Sequence, residues 1–494
     1  MGAVEPATAA LLRGAWAALG GDAGHLARVE ATGDATGLLP SALPALPAAT
    51  AAVAASALAA SVLDGARCGT GPAPALVDVE HVALAVRSER FARQDGVEPP
   101  DLFAPLSRSW RTADGWLRLH ANYPWHRERA LAVLAVPGGA GAGAEARPES
   151  VADAVRGWRG DDLEDALAAA GALGAAVRTP EQWGAHPQGR AVAALPLVET
   201  AAPDARARRP LGPGRAAEGV RVLDLTRVIA GPVATRTLAA WGADVLRLDP
   251  PHLPEIPAQA LDTLPGKRSA VLDLRSPAGA ARLEELLARA DVLVHGYRPG
   301  ALDRLGLSSA ALAERHPHLG VVVLSAWGSA GPWAARRGFD SLVQCATGIA
   351  DAERARTADA APDAAPSAAP DQPPGALPAQ VLDHASGYLA AAAAMLSLAG
   401  VQRGQPPVAA RLSLAQTAHW LTGSDVHQHR APEQHRAPER HLPPERHPPP
   451  ERHLVTLPGA AAPVRVVAPP GRAGDLVPRW SRTTEPGADP PAFA

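Results

Sequence analysis

Residues 219–251, GVRVLDLTRVIAGPVATRTLAAWGADVLRLDPP, constrain the fold more than any other stretch. Val220, Val222, Leu223 and Leu225 form a short aliphatic and β-branched run, which Gly231-Pro232 breaks. Ala234 to Trp241 has helix-forming composition, and Val245 to Leu248 resumes an apolar run. Strand, turn, short helix and strand in that order predict a βαβ unit with two parallel strands in one buried sheet. A nucleotide-like ligand is then expected at the carboxyl end of the first strand, near Arg227 to Pro232. No G-x-G-x-x-G fingerprint follows that strand, which argues against an ordinary dinucleotide site.

Further alternation predicts strands at Ala270–Leu274, Val292–His295 and Val321–Ser325, with a helix at Ala278–Ala290. The fold class is therefore α/β, a Rossmann-like doubly wound parallel sheet. The stretch also resembles the opening of family III CoA-transferases, whose pattern runs V-L-D-L-T-x-V-x-A-G-P and then G-A-D-V. The resemblance continues through Gly266 to Ser269, Leu272 to Leu274, Ala290 to Val294, Tyr297 to Gly300 and Leu305 to Leu307. It resumes at Gly328 to Pro332 and Arg337 to Gln344.

At 494 residues the chain holds enough apolar sequence for two or three domains. A formal charge of -3 and a pI near 6.6 give no general attraction to nucleic acid or to an anionic membrane. Two cysteines, Cys68 and Cys345, imply no disulfide framework, and the opening MGAVEPATAA shows no secretory pattern; the expectation is a cytoplasmic protein. The Ala-rich runs 48–60 and 390–400 read as too short and interrupted for membrane spans.

Taken in order, residues 1–84 are mostly helical and contain one copy of an internal repeat. Setting Leu63-Asp64-Gly65 against Leu398-Ala399-Gly400 aligns two passages, each an Ala-rich helix, a Gly/Pro turn, a short strand and a second helix. Two compositionally similar but unrelated Ala-rich helices are the alternative. Residues 85–200 read as a small α+β unit, with a hairpin turning at Asp114-Gly115, helices at 149–158 and 161–170, and another at 179–186 that Thr179 and Glu181 open. Residues 201–217 read as a linker, 218–426 as the Rossmann-like domain, and 454–494 as a tail with short strands. Residues 351–375, rich in Ala, Pro and Asp, read as a mobile loop. Residues 427–453 repeat His every six positions among prolines, which predicts an extended solvated linker rather than a metal site of fixed geometry.

The family resemblance implies one catalytic aspartate at the start of the second Ala-rich helix, here Asp383 in QVLDHASGY. A carboxylate with the reference pKa of about 3.9 is ionised at neutral pH without a helper base. It can attack an acyl-CoA thioester to give an anhydride and then an aspartyl-CoA thioester. The alternative role of Asp383 is a helix N-cap. Its counterpart in the first copy is Ala48, so one active aspartate per chain is expected.

The resemblance also implies a CoA cradle made by Val228 and Ile229 after the first strand, Arg275 after the third, Tyr297, Arg298 and Ala301 near the adenine, and Arg337 on the diphosphate. Lys267-Arg268 is a weaker candidate, and Asp249-Pro250-Pro251 stands where the family often has a cation, leaving Arg247 the nearest one. Acyl-CoA and a carboxylic acid acceptor are the implied substrates, with no permanently bound cofactor, no metal and a homodimeric assembly. Racemases of the same fold carry G-H-D; the reading here is Gly338-Phe339-Asp340, which disfavours that chemistry. A non-catalytic acyl-CoA-binding protein is the remaining alternative.

Overall fold

The structure is a computed structural model that describes residues 4–137, 146–201, 210–298, 300–359, 372–423 and 451–494. The His/Pro repeat lies, up to residue 450, outside the described residues, as do residues 202–209 of the expected linker and 360–371 of the expected loop.

A seven-stranded sheet organises the molecule. In chain order its strands are β1 (Glu199–Ala201), β2 (Arg221–Leu225), β3 (Asp244–Asp249), β4 (Lys267–Val271), β5 (Val292–His295), β6 (Gly320–Ser325) and β7 (Ala409–Ser413). They lie side by side as β4-β3-β2-β5-β6-β7-β1, all parallel except the antiparallel edge strand β1. The six parallel strands thus follow the 3-2-1-4-5-6 order of a doubly wound nucleotide-binding sheet, with the reversal between β2 and β5. Val222 pairs with Val245 on one side and Val292 on the other, and all three are buried, as expected for strands covered on both faces.

Two boundaries depart from the sequence reading. The helix after β2 spans Ala230–Ala240, so Gly231-Pro232 lies in its first turn, where a proline loses no intrahelical bond. Strand β4 begins at Lys267 rather than at Ala270. Its leading lysine is fully buried because Nζ pairs with Asp224 Oδ2 at 3.0 Å. Ile349–Asp359 forms a helix inside the stretch that composition marks as a loop.

Four helices position the site: α1 (Ala45–Cys68), α2 (Ala230–Ala240), α3 (Asp340–Ala346) and α4 (Val381–Gln402). Helices α1 and α4 pack on each other, and α4 packs on α2. Both α1 and α4 are mostly apolar and buried around their circumference, and such helices belong in an interior. By length and composition each could cross a membrane, contrary to the reading that they are too short; in the structure 94% of the apolar window of each is buried. Strand Ala75–Asp78 and helix Val79–Ala85 follow α1 as β7 and helix Leu414–Leu421 follow α4.

The smaller α+β unit carries the antiparallel strands Ser109–Arg111, Trp116–Leu119 and Gly174–Ala176 with helices around Leu117, Val151, Leu163 and Leu167. Thr179 opens the helix Pro180–Ala185 with Gln182, not Glu181, as its capping-box partner. The chain's tail ties the first segment down: Val464 and Arg465 pair with Gln94 and Arg93, and Arg472 and Ala473 pair with Leu76 and Ala75.

Candidate active site

Asp383 is the third residue of α4, and the N-cap is Gln380, so the aspartate is not a capping residue. It is 7% exposed, and its backbone N–H donates to Asp340 Oδ2 at 2.9 Å. Asp340 opens α3 and is fully buried, with Oδ1 accepting from Gln344 Nε2. Gln344 in turn accepts from Leu377 N–H through Oε1, which ties the approach to α4 against α3.

Two carboxyl groups buried against one another cannot both stay charged cheaply. Burial, then the charges of Asp340 and Glu89, push the Asp383 pKa well above the carboxylate range. Burial also raises Asp340, to about 6, against hydrogen bonds that favour its charged form. Because those donors serve Asp340, the proton of the pair resides chiefly on Asp383. The expectation of a freely ionised aspartate is thereby corrected. Low dielectric and a like charge outweigh the favourable position in the first turn of a helix.

The predicted cradle divides. Val228 and Ile229 lie at the carboxyl end of β2, where the sheet order reverses, with Tyr297 at the matching end of β5. Val228 has φ +68°, a conformation that a β-branched residue rarely adopts. Its N–H donates to Glu255 Oε2 at 3.0 Å. Glu255 also accepts from Tyr123 Oη at 2.6 Å and from Arg247 Nη2 at 3.0 Å, and stands 3.6 Å from Arg227. The cation nearest the end of β3 is therefore consumed: Arg247 is 1% exposed between Asp249 and Glu255. Lys267 is likewise taken by Asp224, and Arg268 by Asp244 at 3.2 Å. Arg275 is exposed with its guanidinium on Asp273 at 3.1 Å.

Positive charge gathers elsewhere. Burial, then Arg298 and Arg129, lower the pKa of Arg337, which marks the three guanidinium groups as neighbours. Arg129 Nη1 donates to Gly171 O at 3.2 Å, and none of the three has an acidic partner among the described residues. Three like charges left together suit a polyanion. Ala301 caps the turn after Arg298, donating to its carbonyl at 3.0 Å. Arg337 stands three positions before Asp340, so the chain brings the basic cluster within roughly 10 Å of the backbone that opens α3.

Arg129 comes from the small α+β unit, and so do the rings over Phe339. His120 stacks on Phe339 with centroids 3.8 Å apart, and His126 stands edge-on at 6.2 Å. Burial, then His126 and Arg118, lower His120 to about 3; burial, then Arg337, Arg129 and Arg227, lower His126 to about 4. Both imidazoles are therefore neutral at pH 7, and His120 has no hydrogen-bond partner on either nitrogen among the described residues. Sequence reasoning missed Arg129, His120, Glu255 and Glu89; in the sequence alone they stand among many surface-type charges.

Comparison with known proteins adds a family match over part of the chain. Residues 217–448 match the model of CoA-transferase family III. An acyl-CoA transferase of Gibberella moniliformis is 30% identical over 316 residues, covering 55% of this chain and 54% of that protein. A probable fatty acyl-CoA transferase of Mycobacterium tuberculosis is 29% identical over 230 residues, covering 44% and 55%. The formyl-CoA:oxalate CoA-transferase of a Bradyrhizobium species is 34% identical over 148 residues, covering 28% and 35%. Among solved structures, a hypothetical protein of Mycobacterium tuberculosis is 29% identical, covering 43% of this chain and 59% of that one, with a TM-score of 0.37. The chain thus spans about half the length of the first two curated relatives. Residues 217–448, the part of the chain that matches CoA-transferase family III, carry the six parallel strands of the doubly wound sheet, Arg337, Asp340 and Asp383.

Proposed function

We propose that the chain moves CoA from an acyl-CoA thioester to a carboxylic acid, with Asp383 as nucleophile. The observation that carries this reading is the pairing of Asp383 with Asp340 three positions from an arginine cluster that lacks acidic partners among the described residues. Such a cluster can hold the phosphates of CoA while the buried carboxyl faces the thioester. Deprotonated Asp383 attacks the thioester carbon, the C–S bond breaks, and an aspartyl anhydride and CoA thiolate result. The thiolate attacks the aspartyl carbonyl and expels the first carboxylate, leaving an aspartyl-CoA thioester. An acceptor carboxylate reverses both steps and regenerates Asp383.

The raised pKa of Asp383 adds a requirement, since the protonated carboxyl is not a nucleophile. Activity is expected to rise with pH. The curated relatives carry names for fatty acyl-CoA and formyl-CoA:oxalate transfer, so the donor panel should span short and long acyl chains. A cytoplasmic location, a homodimer and the lack of a permanently bound cofactor belong to the same proposal.

The test is peptide mass spectrometry after incubation with a panel of acyl-CoA thioesters and trapping with hydroxylamine or borohydride. An adduct on the peptide bearing Asp383, absent from Asp383→Ala, is expected. Retained CoA binding with no adduct from any donor would turn the reading toward a non-catalytic binder. Proton exchange at the α-carbon in deuterated water, without transfer, would favour a racemase.

A further inference from the structure

One buried carboxylate, Glu255, ties the loop after β2 to the small α+β unit, and its two oxygens divide between them. Oε2 accepts from Val228 N–H and from Arg247 Nη2, each at 3.0 Å. Oε1 accepts from Tyr123 Oη at 2.6 Å and from Ile256 N–H at 3.0 Å. Tyr123 is the N-cap of the helix Pro124–Val133, which carries His126 and Arg129. The same side chain therefore touches the loop at the switch point of the sheet and the root of the helix that delivers one arginine of the basic cluster. The Glu255 side chain is 1% exposed. Burial favours its protonated form, but Arg247, then Arg227 and the Tyr123 and Val228 hydrogen bonds, hold its carboxyl below the usual carboxylate range. It is ionised at neutral pH and accepts on both sides.

The loop needs such a tether. Val228 is, among the described residues, the one β-branched residue with positive φ, a conformation whose cost the surrounding contacts must offset. Arg227, just before it, is fixed as well: Nη2 donates to Pro254 O at 2.8 Å, and the guanidinium lies 5.2 Å over the Tyr123 ring. The contacts that hold the loop thus run to Glu255, its neighbour Pro254 and Tyr123. Balancing the charge of Arg247 does not account for Glu255, because Asp249 Oδ1 already accepts from Arg247 Nη2 at 2.9 Å.

We propose that Glu255 is a positioning residue for CoA. It holds Val228 in the left-handed conformation and, through Tyr123, sets the helix that carries Arg129, so that the loop and the basic cluster meet the ligand already arranged. This rests on the reading that CoA binds between the end of β2 and the arginine cluster.

The experiment is calorimetry of CoA binding to the full chain for Glu255→Ala, Val228→Gly and the double variant, with urea unfolding of each. Glu255→Ala is expected to weaken binding on the order of tenfold, as loss of preorganisation predicts. Glycine adopts positive φ without strain, so Val228→Gly should cost less than about threefold in the wild type and recover most of the loss in the Glu255→Ala chain. The same loss with valine or glycine at position 228 would show that Glu255 does not act through the loop, and overturns the proposal. On the other side, Tyr123→Phe keeps the ring and should weaken binding about threefold, the value of one hydrogen bond, but have no effect once Arg129→Ala has removed the group it sets. A full effect in that background overturns the proposal too, and this pair decides the matter if Glu255→Ala fails to fold. If the wild type binds no CoA, the reading beneath the proposal falls, and the urea midpoints still test the tether. Val228→Gly should then be more favourable in the wild type, where it relieves strain, than in Glu255→Ala, where the valine has already relaxed; equal shifts mean that Glu255 holds no strain at Val228.

Discussion

Helices α1 and α4 lie side by side in one core, and each leads through a short strand into a short helix, yet their first turns differ in kind. In α4 the aligned positions are Asp383, His384, Gly387 and Tyr388; in α1 they are Ala48, Ala49, Ala52 and Val53. All eight are buried. Every group able to carry charge, donate a proton or admit a close backbone has become a plain apolar filler in α1. Gly387 shows the geometric side: a Cβ there would stand 2.6 Å from Ala230 O and 2.8 Å from Val233, so α4 meets α2 closely only because that Cβ is absent. The first copy keeps the shape that α4 packs against and contributes Glu89, from just beyond its own repeat, instead of an aspartate.

Making α4 resemble α1 is the largest change. Asp383→Ala should lower the rate of CoA transfer by at least about 10³-fold while unfolding by urea shows an intact fold. The reverse exchange, Ala48→Asp, gives α1 the carboxyl without the surrounding donors. Ala48 is fully buried in an apolar core, so burying a carboxyl there should cost roughly 3 kcal/mol of stability, read as a lower urea midpoint. A stable Ala48→Asp chain would mean that the first copy retains a site-like environment.

The next effect concerns the site's other half, which α1 lacks altogether. Arg337→Ala or Arg129→Ala should each weaken CoA binding by about ten- to a hundredfold, as loss of a charge-assisted phosphate contact predicts, measured by calorimetry. Arg275→Ala, whose guanidinium rests on Asp273, should change binding little. Equal effects at all three positions would place the phosphates along β4 after all.

What could be read in the sequence follows physical lines. Strands β2 and β5 are continuous apolar runs because both sheet faces are covered, and that pattern survives without a structure. Asp383 and Arg337 stand in segments whose order resembles the family. Lys267 misled because a lysine reads as surface until its counter-charge, Asp224, is known, and that partner is 43 residues away. Glu89, 295 residues from His384, and Arg129, brought in by the small unit, depend on tertiary packing that no local pattern encodes. The apolar length of α1 and α4 fits an interior or a bilayer equally well; only their mutual burial distinguishes the two.

The smallest expected effect tests whether α4 bears a cost that α1 has shed. A carboxyl whose pKa is raised on folding holds its proton more tightly in the folded chain than in the unfolded one. Its favourable contribution is complete below the unfolded value of about 4 and is lost as pH rises through the folded value. For Asp383 the folded pKa lies well above the ordinary range and for Asp340 at about 6, so wild-type stability should fall from mildly acid toward mildly alkaline pH. Asp383→Asn keeps the shape and removes the charge, so it should match the wild type near pH 4 and exceed it by about 1 kcal/mol or more near pH 8, since a tenfold change in proton affinity on folding corresponds to about 1.4 kcal/mol. Ala48→Ser, at the aligned position, should keep the wild-type pH dependence and differ from the wild type by an amount that does not change with pH. Urea midpoints of the three chains across that range check this. A pH-independent difference between Asp383→Asn and the wild type would show that Asp383 ionises as freely in the fold as in the unfolded chain, and the contrast between the two helices would then reduce to packing.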